Sequence, residues 1–303
     1  MFEEVQKLFS KAILFTQEVK TEHPVRIENS PTIFKADVAL LASTTQEFNS
    51  ILPFLYDVSE VIIENNDALI YFTGRLNAKA RILNIVIPVP INMGIEASVI
   101  TTTKLISHFS PDILIMCGIC AGNKNVTNIG DLVIAEKSVN YNNIVEISKS
   151  GGDVKKKFMQ SADSINKNLK ARLTLFASTG IKHVFENIEL PKEFLHELQC
   201  HVGLVVTGSS LSRSKEKMDE INESYHGVKA MDMETYGMYF AASNSNRDNI
   251  PLFVSMKAVS DFGDETTHKV SAEKRAKLAL SVSVQCVINF LSEHYKQTAT
   301  KTR

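Results

Sequence analysis

DVALLASTTQEFNSILPFL, residues 37–55, runs a short apolar strand straight into a helical pattern. That junction is the opening move of an α/β fold. Downstream, VIIEN (61–65), ALIYFTGRLN (68–77) and KARILNIVIPVP (79–90) read as three strands of a meander. INMGIEASVITTTKLISHF (91–109) follows as a helix, with Ile95, Val99, Thr102 and Ile106 on its inner stripe. PDILIMCGICAG (111–122) is a buried strand ending in a small-residue loop, and IGDLVIAEKSV (129–139) is another strand.

From about Tyr141 to Gln199 the pattern weakens. Lys149, Lys155, Lys156, Lys157, Lys167, Lys170 and Lys182 tilt it basic, which marks a solvated face or, less often, a phosphate site. HVGLVVTGSS (201–210) is a strand, SRSKEKMDEINESY (212–225) a charged helix, and ETYGMYFAASNS (234–245) a small-residue helix. IPLFVSMKAVSD (250–261) is a further strand. The 271–295 stretch is a long helix with Leu280, Val284, Val287 and Leu291 toward the core. The elements interleave, so one domain is expected over 37–297, with a tail at 298–303. The arm at 1–36 combines an amphipathic helix with a proline-bearing linker, TEHPVRIENSPTIFK.

Composition narrows the class. With 303 residues, 44% of them hydrophobic, the chain can bury a large core. A net charge of -1 gives no footprint for nucleic acid or an anionic membrane. No apolar run reaches the roughly 20 residues of a membrane span, and Lys7 and Lys11 break the first stretch as a secretion signal. Four cysteines make no disulfide framework at this size, and the cytoplasm is the simplest compartment. Cys117 and Cys120 form CGIC, but a zinc site needs two more ligands. Cys200 and His201 are adjacent and seldom point at one ion, so no metal or organic cofactor is expected.

Two acidic positions carry the chemistry. MDMET places Asp232, Met233 and Glu234 just before the small-residue helix. KAVSDFGD ends its strand at Ser260 and Asp261. Two carboxylates at the mouths of buried elements suit a pocket that grips a polar ring and protonates a leaving group. Each has a plainer reading. Asp232 can cap the next helix, Met233 and Met238 can be core filler, and Asp264 can cap a loop. DFG at 261–263 lacks the other kinase motifs and is set aside. His108, His226 and His268 have no assignable partner.

ASTTQEF, PDILIMCGICAGN with VTNIGD, VVTGSSL with MDMET, and KAVSDFGD occur in this order from about Asp37 to Tyr295. Together they resemble the nucleoside phosphorylase/nucleosidase superfamily, most of all its 5'-methylthioadenosine/S-adenosylhomocysteine nucleosidase branch. The resemblance implies a single α/β domain, three-layered around a mixed, partly closed sheet. It implies cleavage of a purine N-glycosidic bond, with adenine as the expected base, by a homo-oligomer.

It also implies roles. Asp261 would protonate N7 of the purine, with Ser260 orienting it. Glu234 would hold the ribose hydroxyls and Met233 pack the sugar face. Main-chain groups at Cys120, Ala121 and Gly122 would border the base. Asp232 and Met93 join the substrate-binding set. Leu211 and Ser212 match positions that stack on the base, although the branch usually has an aromatic at the first. Glu47 would activate water, and Lys257 stands where the family often has an Arg. Thr44 and Glu47 also spell a T-x-x-E capping box, which alone would explain that Glu. TTQEF has neither Gly nor Arg, where phosphorylases carry a phosphate loop, so water is the favoured nucleophile. Phosphorolysis, an AMP- or ATP-cleaving nucleosidase in stress or phage defence, and a non-catalytic nucleotide sensor remain as alternatives.

Overall fold

The structure is a computed structural model that describes residues 25–27, 34–63, 67–148, 154–158, 162–194, 196–209, 215–245, 250–264 and 271–295. The helix expected near the N-terminus and the tail at 298–303 lie outside the described residues. The proline-bearing linker is not wholly irregular. It contains β1 (Val25–Ile27), which pairs parallel with β3 (Tyr56–Ile63) at the sheet edge.

The junction at 37–55 forms as read. β2 (Val38–Leu41) is buried throughout and feeds α1 (Thr45–Ile51). Pro53 then tightens the chain into a 3-10 turn, Leu52–Phe54, because its ring cannot continue an α-helix. β3, β4 (Tyr71–Asn77) and β5 (Ile82–Pro88) pair antiparallel in sequence, the expected meander.

α2 (Ile95–Phe109) buries Ile95, Ser98, Thr102, Leu105 and Phe109. The expected stripe is therefore rotated: Val99 and Ile106 are only half-buried. The cause is the helix it meets, α6 (Thr235–Ser243). A Cβ on Gly237 would stand 2.5 Å from the Ile95 carbonyl oxygen, so the backbones touch and only small side chains fit between them. At the far end of α2, His108 does have a partner, Asp67, 3.0 Å away; Asp67 also takes Lys104 and the Tyr71 hydroxyl.

β6 (Ile113–Gly122) is the spine. It is buried along its length except at half-buried Ile119, as a strand covered on both faces should be. Cys117 and Cys120 both lie inside this strand, which runs on through Gly122 where a small-residue loop was expected. Three residues apart on a strand, they project to opposite faces and cannot share an ion or a bond. β7 (Leu132–Asn140) is next, and the weakly patterned segment after it holds real elements. These are a hairpin of β8 (Ile144–Ser148) and β9 (Val154–Phe158), edge strand β10 (Ala162–Ser164), α3 (Lys167–Leu175) and α4 (Lys182–Glu186). Within it Lys170 pairs with Glu136 at 2.6 Å.

β11 (Cys200–Thr207), α5 (Lys215–Ser224), β12 (Val228–Asp232), α6, β13 (Leu252–Asp261) and α7 (Ala272–Asn289) complete the chain. Val284, Val287 and Leu291 are buried as expected, whereas Leu280 is half-buried. The sheet order is β1-β3-β4-β5-β2-β6-β12-β11-β7-β10. β13 pairs parallel with β6 and antiparallel with β7, closing a ring of β6, β12, β11, β7 and β13. The sheet is mixed and partly closed, with α6 packed on the Ser255 side of β13 and α7 running along β13 and β6. Among the described residues no helix is long and apolar enough to cross a membrane.

Candidate active site

The last five residues of β6, 118–122, gather groups from every part of the chain. By register Lys257 of β13 sits opposite Gly118, and Asp261 opposite Ala121. On the other side β12 brings Met231 opposite Ala121, with Asp232 next in the chain. Glu47 reaches in from α1.

Glu47 forms the capping box and also reaches the β6 spine with its second carboxylate oxygen. Its Oε2 accepts the N–H groups of Ser43 (2.7 Å) and Thr44 (3.0 Å), while Thr44 Oγ1 caps the Glu47 N–H, completing the capping box. Its Oε1 accepts the Ile119 N–H at 3.0 Å. β2 has ended by this point, at Leu41 opposite Met116, so the carboxylate takes the place of the missing strand. The room for it comes from Gly118, whose φ is +148°. A Cβ there would lie 2.1 Å from Glu47 Oε1. Glu47 as a whole is 3% exposed. Burial pushes its pKa above the ordinary value; Lys257 and the N–H groups of Ser43 and Ile119 pull it back, and Glu234 adds a further rise.

Lys257, 3% exposed, is the buried cation of the site. Its Nζ lies 2.7 Å from Asp232 Oδ2 and 2.9 Å from Glu234 Oε2. Burial alone would lower its pKa, but Asp232, Glu234 and Glu47 outweigh that and hold it well above the ordinary lysine value. Glu234 Oε1 accepts the Gly94 N–H at 3.1 Å, which brings the loop before α2 to the site. Met93, in that loop, is 56% exposed.

Asp232 has little left to offer a substrate. Thr207 Oγ1 donates to its Oδ1 at 2.7 Å, the Thr235 N–H and hydroxyl donate to it as well, and Lys257 occupies Oδ2. The N-cap residue of α6 is Glu234 rather than Asp232, as the helix begins at Thr235, but Asp232 still accepts the Thr235 N–H from three residues back. Its carboxylate thus links β11, α6 and Lys257.

Asp261 Oδ2 accepts the Ser260 hydroxyl at 2.8 Å and Oδ1 the Gly263 N–H at 2.8 Å. Ser260 Oγ also lies 3.3 Å from the Cys120 carbonyl oxygen, tying the acid to the spine. Cys120, Ala121 and Gly122 are buried beside it, and Met233 is half-buried. Burial pushes the Cys120 thiol pKa up, Lys257 opposes it, and Asp232, Asp261 and Glu47 raise it further. One thiol thus feels four charged groups drawn from α1, β12 and β13. Leu211 and Ser212 lie outside the described residues. Among the described residues no group of three His, Cys, Asp or Glu side chains is placed to hold a metal ion.

The sequence reading missed Gly118, Gly94, Thr207 and Thr235. Gly118 had a signal, since a glycine inside an otherwise apolar strand marks a close approach. The other three act through a backbone N–H or as supports for Asp232 and carry no motif.

Comparison with known proteins finds relatives for this chain and for its fold. A 5'-methylthioadenosine/S-adenosylhomocysteine nucleosidase from Anoxybacillus flavithermus is 26% identical over 66% of this chain and 79% of its own length. The ATP nucleosidase Cap17 of Escherichia coli is 24% identical over 57% of this chain and 35% of its own. The chain therefore spans about a third of Cap17, and 55% of a further relative from Sinorhizobium fredii. The crystal structure of the Neisseria meningitidis 5'-methylthioadenosine/S-adenosylhomocysteine nucleosidase in complex with methylthio-immucillin-A superposes with a TM-score of 0.65. It is 21% identical and covers 84% of this chain and 98% of that one. The family model of the phosphorylase superfamily matches residues 37–292, from the opening strand through α7. The chain belongs to the phosphorylase superfamily.

Proposed function

We propose that this protein hydrolyses the N-glycosidic bond of an adenine nucleoside or nucleotide, releasing the free base and a ribose product. The observation that carries the reading is Glu47: a buried carboxyl of raised pKa, held against the β6 spine beside Lys257 and Glu234. Such a group is a general base for water. Water attacks C1′ and gives a proton to Glu47 as the C1′–N9 bond breaks. Asp261 delivers a proton to N7, so the base leaves neutral. Positive charge builds on the ribose in the transition state, and Glu234 lies beneath it with Met233 on the sugar face. Ser260 orients Asp261, and the backbone at Cys120, Ala121 and Gly122 borders the purine. Leu211 and Ser212 complete the base site in this reading, and Met93 stands at its rim beside Gly94.

The domain reading is a catalytic unit at 37–297 with an arm at 1–36. The protein acts as a homo-oligomer in the cytoplasm. In support, Ile91, Met93, Ile100 and Phe240 leave large apolar groups in solvent around the α2–α6 face, and the four cysteines are free thiols, as a reducing compartment keeps them.

The test is incubation with methylthioadenosine, adenosylhomocysteine, adenosine, inosine, AMP and ATP, with and without phosphate, following free base by chromatography. Phosphate-independent release of adenine supports the reading. Strict dependence on phosphate, with ribose-1-phosphate formed, overturns hydrolysis, and no release from any substrate points to a sensor. The likeness to Cap17 makes ATP the nucleotide to watch. Asp261→Asn should abolish turnover with the fold intact; unchanged rates would remove Asp261 from the mechanism.

A further inference from the structure

Serines inside helices usually turn their hydroxyl back to the carbonyl four residues earlier. Ser50 and Ser224 do so, bonding Gln46 and Glu220 at 2.8 and 2.7 Å. Ser283, midway along α7 and fully buried, does not. Its hydroxyl leaves the helix, donates to the Met256 carbonyl oxygen of β13 at 2.7 Å and accepts the Gly118 N–H of β6 at 2.9 Å.

Those partners belong to one rung of the sheet. In a parallel ladder that registers Gly118 with Lys257, the Gly118 N–H would ordinarily bond the Met256 carbonyl directly. The Ser283 oxygen stands between them. It stretches a contact of ~2.9 Å to one of roughly 4–5 Å, the span of two hydrogen bonds in series. The rung it opens carries Lys257 on one strand and, on the other, the Gly118 over which the Glu47 carboxylate rests. The flanking Val282, Val284, Cys286 and Val287 of α7 are buried and apolar, so packing alone would be served by alanine.

We propose that Ser283 is a positioning residue for the water-activating carboxylate, its hydroxyl wedged into the β6–β13 ladder to set the spacing of Glu47 and Lys257. The proposal rests on the hydrolytic role given to Glu47 above. In Ser283→Ala the rung closes, Gly118 and Ile119 draw toward β13, and the bond from the Ile119 N–H to Glu47 lengthens or breaks. Losing that donor destabilises the ionised carboxylate, so the pH at which Glu47 becomes a base rises.

The experiment joins a crystal structure of Ser283→Ala with kcat and KM for adenine release across pH, and with the same rates for Ser283→Thr, which keeps the hydroxyl. Expected are a Glu47 carboxylate displaced by about 1 Å, kcat lowered about 10–100-fold, as such misplacements cost, and KM little changed. The acid limb of the kcat profile should move upward, and threonine should restore most of the rate. A Glu47 carboxylate left in its original place overturns the proposal whether or not the wild-type protein turns over, which separates its failure from that of the hydrolytic reading. A kcat and pH profile matching wild type, or a threonine variant as impaired as alanine, overturns it as well. Should the alanine variant not fold, Ser283→Cys, close in size but a poor donor, takes its place against Ser283→Thr with the same outcomes.

Discussion

Replacing Lys257 with methionine removes the cation and keeps most of the volume. In the native protein Nζ sits 2.7 Å from Asp232 and 2.9 Å from Glu234, with all three side chains less than a tenth exposed. At an effective dielectric near 20, each contact is worth roughly 6 kcal/mol of gross attraction. Desolvating the ammonium and carboxylates offsets much of that, and one-sided removal from a buried pair typically destabilises by about 3–5 kcal/mol. Against a total stability of about 5–15 kcal/mol, such a loss leaves the variant marginal. Lys257 itself sets the pH dependence: burial would lower its pKa, but Asp232, Glu234 and Glu47 outweigh that and raise it. Its contribution is therefore complete below the ordinary lysine value and lost only as pH climbs through the folded one. Urea unfolding of both proteins near neutral pH reads the effect. Asp232→Asn in the Lys257→Met background should recover part of the loss, because it removes one orphaned charge. A deficit under about 1 kcal/mol, or a double variant no more stable than Lys257→Met, would refute the claim that this lysine is held by the two acids.

Gly118→Ala should be harmful for a different reason: its Cβ would stand 2.1 Å from Glu47 Oε1 and 2.5 Å from its Cδ, at a φ of +148°. Adenine release should fall about 100-fold, with stability lowered by about 1–3 kcal/mol; near-native kcat would show that Glu47 tolerates another position. The acid limb of the rate profile should lie above the ordinary glutamate range, because Glu47 has a raised pKa and the proposed mechanism needs it ionised. Glu47→Gln should remove that limb together with most of the rate, and a limb that survives belongs to another group.

Much of this was legible in the sequence because local pattern and tertiary environment agreed. The strand–helix junction at 37–55, the meander and the strand ending at Asp261 each announce themselves through apolar runs bounded by turns or acids. The capping box in TTQEF was read correctly but posed against catalysis, whereas a carboxylate has two oxygens: one completes the box and the other reaches the Ile119 N–H, so the two roles need not compete. The inner stripe of α2 was misjudged, since hydrophobicity marks a core face only where side chains do the packing. Against Gly237 the backbones themselves meet, and Ser98 fits where Val99 was expected, while Ile95 and Thr102 are buried as read. The partners of Asp232 were not legible, because its donors come from Thr207 and Thr235, which no spacing rule connects to it. β1 escaped notice because a three-residue edge strand between prolines has no periodicity to show.

The pairing of β13 with β6 bears on when this protein first acquires its chemistry. Glu47 is synthesised early, but Lys257 and Asp261 arrive on the last strand of the described sheet, and Ser283 on the helix after it. A nascent chain on the ribosome can assemble the meander and β6, yet it stays chemically silent until β13 slots in between β6 and β7. Such distant, parallel pairing forms slowly. On dilution from denaturant, enzymatic activity should therefore return with the slowest refolding phase, well after most helix has formed.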